Sequence, residues 1–452
     1  MAKPNVNHEV VELKARADDI RARFDENARR PIVIEFAGMP KAGKTTIVNE
    51  IHRFLKRCGF RTKMIGEKAS ICPIRDKKDA SFNIWTVCQT LSDLLVDTQS
   101  PAHAGDPEIV IIDRGIFDAV SWLRLLERLK RLQPEERAVI ERFVLLGDWR
   151  KRISQVFVLT VDPEEALARE EGLLPISVLG SIMNREVLAQ TRDNVLKCAE
   201  DLEAQFNIKI IDTTKKQAAE IARRIAELVL DAVDTHLNER ILSLNKTAIE
   251  PLFAANGILN ATQAQAILEA FATKGNYESR GIVEANPKRI QALPVLVVRD
   301  AKGSVLRLRR KERDRKNTLH NRLVLWAGGH VREEDGTNGK ALMRCLLREA
   351  KEELKLNIAE SEVRFLGAVW ERHSTAKTAQ HVALVFEWRA QTEDVEVCLS
   401  NAEFFERRGT SLSGKFVPVK ELLASQEHEP WSAAILSELL PDVGQAVQKH
   451  LI

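Results

Sequence analysis

Apolar residues in the first half of this chain fall in short blocks, separated by charged stretches whose apolar positions recur every three or four residues. The blocks at 32–37, 62–65, 109–112, 156–161 and 208–211 have the length of strands, and most are rich in valine and isoleucine. The stretches at 8–29 and 46–58 carry the helix period instead. This alternation runs to about residue 235 and predicts a parallel sheet covered by helices on both faces.

The pattern then changes twice. Residues 261–275 look helical, with Asn260 and Thr262 as start signals, and no strand block stands out over 236–288. That segment predicts a helical connector. Further on, Pro294-Val295-Leu296-Val297-Val298, a turn at 300–303 and Ser304-Val305-Leu306-Arg307-Leu308 predict a hairpin. Strands at 363–369 and 381–388, with a charged helix at 341–354, complete a mixed α/β region. The expected order is an N-terminal helix (1–30), an α/β parallel-sheet domain (31–235), the connector (236–288) and a mixed α/β domain (289–452).

Composition narrows the classes. A chain of 452 residues needs two or three cores, and 44% hydrophobic with 29% charged residues is a globular mixture. The 68 basic and 65 acidic side chains leave a net charge of +3, so no strong global field draws the chain to nucleic acid. No apolar run approaches the roughly 18 residues of a membrane helix. The N-terminus leads into a charged helical stretch rather than an apolar signal region. Six cysteines without a CxxC pair argue against a disulfide framework or a zinc knuckle. The expected setting is the cytoplasm, with no membrane partner; a homo-oligomer is left open.

The chemistry begins at Gly38-Met39-Pro40-Lys41-Ala42-Gly43-Lys44-Thr45, a full match to GxxxxGK[ST] placed between a buried strand and a helix. Glycines let main-chain N–H groups curl around phosphate oxygens, and the helix start adds its positive dipole end. Lys44 is expected to reach the β and γ phosphates of ATP or another nucleoside triphosphate. Thr45 is expected to ligate Mg²⁺, and Thr46 lies beside it in the binding turn. Asp113, ending the block at 109–112 and followed by Arg114-Gly115, supplies a carboxylate for the magnesium.

Over roughly 31–215 this arrangement, with Val161-Asp162-Pro163-Glu164-Glu165-Ala166, resembles the thymidylate kinase and deoxynucleoside kinase group. The resemblance implies that Arg114 contacts phosphoryl oxygens and that Glu67 is a base toward a sugar hydroxyl. It also implies that Trp85 and Gln89 border a base pocket, although Trp85 in a helical apolar pattern reads equally well as a core aromatic. The closely spaced lid arginines of that group are not present; Arg169, Arg185 and Arg192 are the candidates that follow Asp162.

A second cluster lies on the helix at 341–354: Arg348-Glu349-Ala350-Lys351-Glu352-Glu353. Its three carboxylates fall at i, i+3 and i+4 on one face, opposed to a stripe of Met343, Leu346, Leu347, Ala350 and Leu354. Clustered like charges favour a hard cation among them, Mg²⁺ or Mn²⁺. Together with Leu319-His320-Asn321 and Trp326-Ala327-Gly328-Gly329-His330 upstream, and Glu429-Pro430-Trp431-Ser432 near the end, the helix resembles the Nudix box, Gx5Ex7REUxEExGU. The resemblance covers about 289–452 and implies an α/β/α sandwich. It makes Glu349, Glu352 and Glu353 metal ligands, one of them also a base toward water, with Arg348 orienting a glutamate. The spacing departs through an insertion at 333–339: Lys340 stands where the early Glu is counted, and Lys355 replaces the last glycine.

Two heads are therefore expected. The first phosphorylates a nucleoside or nucleotide from ATP; the second hydrolyses a nucleoside diphosphate derivative with Mg²⁺. The alternative is a phosphate loop that only senses nucleotide and regulates the hydrolase, in a stress or phage-defence role.

Overall fold

The structure, a computed structural model, describes residues 6–26, 31–77, 79–98, 106–171, 183–253, 256–311, 321–336, 339–373, 377–391, 397–399, 404–405, 413–425 and 428–440. The chain divides into two compact units, Met1–Leu237 and Asn238–Ile452.

The first unit opens with α1 (Val6–Glu26), β1 (Ile32–Gly38), α2 (Lys44–Arg57), β2 (Thr62–Ile65) and α3 (Ala80–Asp97). β3 (Ile109–Asp113), α4 (Ile116–Arg128), α5 (Pro134–Val144), α6 (Gly147–Arg150) and β4 (Gln155–Thr160) follow. α7 (Pro163–Glu171), α8 (Arg185–Asp201), β5 (Ile208–Asp212) and α9 (Ala218–Leu237) close it. The five strands form one sheet in the order β2-β3-β1-β4-β5, every pair parallel. β1 is central and buried along its whole length, which is why it reads as a nearly unbroken apolar run. α2 lays Ile47, Val48, Ile51 and Leu55 on the sheet. α1 buries Ala17 and Ile20 in the same core, and Arg16–Asp231 and Arg23–Asp234 ion pairs join it to α9.

The second unit begins with β6 (Arg240–Asn245), β7 (Ile258–Asn260), α10 (Ala261–Lys274), β8 (Asn276–Ser279) and α11 (Arg280–Ala285). β9 (Arg289–Arg299), β10 (Val305–Arg309), β11 (Leu323–Val324), β12 (Ala327–Gly328) and α12 (Ala341–Leu354) come next. β13 (Val363–Val369), β14 (His381–Arg389), β15 (Lys415–Val417), α13 (Val419–Leu423) and α14 (Pro430–Ala434) complete it. Its ten strands make a mixed sheet with the main path β11-β10-β9-β14-β13-β7. β9 pairs parallel with β14 and antiparallel with β6, β10 and β12.

The helical connector expected over 236–288 is corrected here. α10 is helical, capped by Asn260 as the sequence predicts, but β6, β7 and β8 also lie in this segment and pair into the second sheet. β7 is three residues long and β8 reads Asn-Tyr-Glu-Ser, so neither carries a periodic signal. Their partners are β13 for the one and β6 for the other, and the pairing that stabilises them is invisible in local pattern.

β7 meets β13 where the ladder between β13 and β14 shifts register, between Phe365 and Gly367. Gly367 has φ 150°, and a Cβ there would stand 2.1 Å from the Leu259 carbonyl oxygen. Gly367→Ala is expected to destabilise this unit by about 2–4 kcal/mol, read as a lower urea midpoint by tryptophan fluorescence. An unchanged midpoint would mean that β7 does not dock at this position.

Candidate functional site

In the first unit the β1–β3 register sets Phe36 opposite Asp113. The loop leaving β1 and the carboxylate ending β3 therefore emerge side by side. Gly38 takes φ 120° with no room for a Cβ against the Leu159 carbonyl, and Gly43 takes φ 87° ahead of α2. No side chain caps the first turn of α2, which leaves the dipole end of that helix facing the loop. Met39 and Ala42 are both buried within the core, so toward a ligand they can offer only main-chain groups. Pro40 and Lys41 are half-buried, Lys41 at φ 57° with its Nζ on Glu170; Thr45 and Thr46 are exposed.

Lys44 is buried, and its Nζ donates to the carbonyls of Gly38 (3.0 Å) and Met39 (2.6 Å). Burial, then the nearby Arg114, lowers its pKa to about 7. Thr45 Oγ1 donates to Asp113 Oδ2 at 3.1 Å, while Asp113 Oδ1 is buried with no hydrogen-bond partner among the described residues. Burial also raises the Asp113 pKa, with Lys44 and Arg114 opposing. An unmatched carboxylate oxygen beside a threonine hydroxyl is a donor set of the kind a hard cation takes.

Arg114, at φ 66°, places Nε 2.7 Å from Glu67 and one terminal nitrogen 3.0 Å from Asp118. Burial opposes its charge, but Asp118 and Glu67 outweigh this and raise its pKa. Asp118 also accepts from the Gly38 N–H at 3.1 Å. Glu35, fully buried on β1, accepts from the main-chain N–H of Gly115 (3.0 Å), Phe117 (3.2 Å) and Asp118 (2.9 Å). Burial raises its pKa to about 7 even against those three donors. Neither Glu35 nor Asp118 is among the sequence candidates. A glutamate inside an apolar run, and an acid four residues after Arg114, are the signals that point to them.

Arg169 turns to the Lys41 and Thr213 carbonyls and to Glu165. Arg185 pairs with Glu164 in solvent, and Arg192 lies on α8. Gln89 is exposed on α3; Trp85 is half-buried there and belongs to none of the apolar clusters among the described residues.

In the second unit α12 spans the predicted residues, but its acidic face is not a solvent face. Glu349 and Glu353 are buried and only Glu352 is half exposed. Glu349 lies against Gly329, where a Cβ would stand 2.4 Å from its Oε1. Glu353 accepts from the Gly328 N–H (2.9 Å) and from Arg310 (3.2 Å). Arg348 donates to Glu349 (2.5 Å), to Glu352 (3.4 Å) and, through two nitrogens, to Asp335 (2.9 and 3.0 Å). Burial raises the Glu349 pKa, with Arg348 opposing. Among the described residues no three acidic, histidine or cysteine side chains already converge as a metal group. The arginines carry the compensating charge, and the donor set remains hard oxygen.

Asp335 is the acid that counting could not find. It lies within the insertion, thirteen residues before Arg348 rather than eight, and its own Oδ2 accepts from the Arg332 N–H at 2.9 Å. The turn that carries it is tied to β8 by the Tyr277 hydroxyl, which donates to the Gly336 carbonyl. Tyr277, Arg240, Phe271, Asn276 and Leu342 border a cavity of about 240 Å³. Glu429 accepts from the Trp326 indole (2.8 Å) and from the N–H groups of Trp431 and Ser432, and Ser432 Oγ accepts from Leu325 N–H. The Glu-Pro-Trp-Ser segment thus staples the strand that leads to Gly328. Leu319, His320, Thr337 and Asn338 lie outside the described residues.

A buried pair of carboxylates seated on a Gly-Gly turn by one helix is now in view, and the family comparison agrees with it. Residues 288–439 are a NUDIX domain. Among solved structures, Tm1382, described as a Nudix hydrolase, is 24% identical, with 47% of this chain and 100% of that chain covered at a TM-score of 0.35. The thymidylate kinase of Candida albicans is 14% identical, covering 44% and 91% at 0.32. The deoxyadenosine kinase of M. mycoides with bound dCTP is 17% identical, covering 45% and 100% at 0.34. No curated protein matches the sequence. No helix among the described residues is long and apolar enough to cross a membrane, and all six cysteines are free.

Two expectations follow. With its pKa near 7, Lys44 is mostly neutral at pH 8, and a phosphate anion at the loop restores its charge. ATP binding at pH 8 should take up close to one proton and at pH 6 almost none, measured by calorimetry in buffers of unlike ionisation enthalpy; equal uptake at both pH values, or persistence in Lys44→Ala, would refute this. In the NUDIX unit, Asp335→Ala takes two hydrogen bonds from the partly buried Arg348, which keeps Glu349, and should lower stability by about 2 kcal/mol, read from the urea midpoint.

Proposed function

We propose that the first unit transfers a phosphoryl group from ATP to a nucleoside or nucleotide. The NUDIX unit, in this reading, hydrolyses a nucleoside diphosphate derivative with Mg²⁺ or Mn²⁺. The observation that carries the first half is the gathering of Lys44, Thr45, Asp113, Arg114 and Glu67 at one end of a parallel sheet, around an uncapped helix start. Lys44 and the amides that open α2 bind the triphosphate, and Arg114 neutralises the transferred group. Thr45 and Asp113 would hold the magnesium. Glu67 accepts the proton of the acceptor hydroxyl as its oxygen bonds to the γ-phosphorus; the bond from that phosphorus to the bridging oxygen breaks, and ADP leaves.

In the NUDIX unit Glu349, Glu352 and Glu353 would hold the cation, which when bound polarises a phosphoryl oxygen and acidifies a water. Glu352 is the half-exposed member, and Arg348 meets its carboxylate at a long 3.4 Å. We assign it the proton of the attacking water. Arg348, fixed by Asp335, holds Glu349 in place.

The test uses the full chain with labelled ATP, a nucleoside and nucleotide panel, and nucleoside diphosphate derivatives with Mg²⁺. Lys44→Ala should abolish transfer by more than about 100-fold and spare hydrolysis; Glu352→Gln should do the reverse. A wild-type chain that binds ATP yet yields no phosphorylated product would make the loop a nucleotide sensor.

A further inference from the structure

The buried carboxylates Asp335, Glu349, Glu353 and Glu429 of the NUDIX unit each meet donors. Gln291 does not. It stands on β9, 1% exposed, and neither its Oε1 nor its Nε2 has a hydrogen-bond partner among the described residues. A polar group left unmatched away from water is costly, so a buried amide in this state asks for a purpose beyond the fold.

Its neighbours supply one. In the parallel β9–β14 pair Gln291 is registered with His381, and lateral partners in a sheet project from the same face. The His381 ring packs edge-on against His330 with centroids 5.5 Å apart, and His330 Nε2 is a second buried polar atom without a partner. His330 directly follows the Gly328-Gly329 turn that seats Glu349 and Glu353, and its carbonyl accepts from Arg348 at 3.2 Å. Gln291, His381 and His330 thus make a row from the sheet interior to the carboxylates of α12. His330, His381 and the nearby Arg280 are partly exposed, so the row opens to solvent at that end.

The surrounding charge decides what the row accepts. Burial, then Arg280, His381, Arg332 and Arg348, holds the His330 pKa well below its usual value. The ring is neutral imidazole, one nitrogen donating and the other accepting. The guanidiniums are already matched: Arg280 by Glu239 and Glu284, Arg332 by Glu239 and Glu334, Arg348 by Asp335 and Glu349. What remains unmet is a neutral amide and a neutral imidazole. Their complement is uncharged and planar, with a donor beside an acceptor, and a glutamine amide engages such an edge with two parallel hydrogen bonds.

We infer that Gln291 and His330, with His381 between them, form a base-reading subsite of the NUDIX unit, taking the donor–acceptor edge of a nucleobase whose diphosphate lies toward Glu349, Glu352 and Glu353. This deepens the hydrolase reading above and rests on it. Gln291 and His330 are specificity groups and take no part in the bond cleavage.

The test compares the full chain with Gln291→Met, which keeps the length of the side chain and removes both polar atoms. First, kcat/KM is measured for nucleoside diphosphate–ribose compounds that differ only in the base. The wild type ranks the bases, and the variant loses at least tenfold on the preferred one, in KM rather than kcat. Second, equilibrium dialysis of the same labelled compounds without divalent metal shows at least tenfold weaker retention of the preferred one by the variant. Equal retention, or an unchanged ranking, overturns the subsite. If neither protein hydrolyses any compound but the tenfold difference in retention holds, the hydrolase reading falls and the subsite stands. Thermal unfolding of the variant is expected at or above the wild-type temperature, because an unmatched amide has been removed. A lower melting temperature makes Gln291 a structural group and overturns the inference.

Discussion

A carboxylate taken out of water must be met by hydrogen-bond donors or by an opposite charge, and otherwise it takes up a proton. In the first unit this constraint falls on Glu35. Its two oxygens gather the main-chain N–H groups that open α4, and so fix the turn from Asp113 through Arg114 to Gly115. Asp118, on the first turn of that helix, then reaches the Gly38 N–H and Arg114. One buried side chain on the central strand thereby sets both the start of the phosphate loop and the arginine beside it.

The NUDIX unit solves the same problem with side chains. Asp335 and Glu349 share Arg348, and Glu353 divides its oxygens between Arg310 and a main-chain N–H. The difference is one of rigidity. Main-chain donors cannot leave, so the geometry around Glu35 is permanent. A guanidinium sits on a flexible stem, so the arrangement around Glu349 depends on Asp335, which holds Arg348 through two nitrogens.

How much of this was legible depended on whether the signal was local. The strands that carry the phosphate loop and Asp113, and the helix Ala341–Leu354, announce themselves through periodicity and composition within a dozen residues. β7, β8, β11 and β12 are two to four residues long and exist through their pairing, which no window along the chain contains. Asp335 escaped because the insertion breaks the spacing that would have identified it, and only the fold returns it to Arg348. Gln291 escaped for a related reason: the apolar run made β9 legible from Pro294, whereas the strand begins at Arg289 and the polar residue lies in its unmarked first stretch of ladder.

The hydroxyl bond between Tyr277 and Gly336 has a practical side. Tyr277 is the only tyrosine among 452 residues, and from β8 its hydroxyl reaches the turn that carries Asp335. Biosynthetic incorporation of fluorinated tyrosine would therefore yield a single resonance, free of overlap, that watches the anchor of Arg348 from within the intact chain.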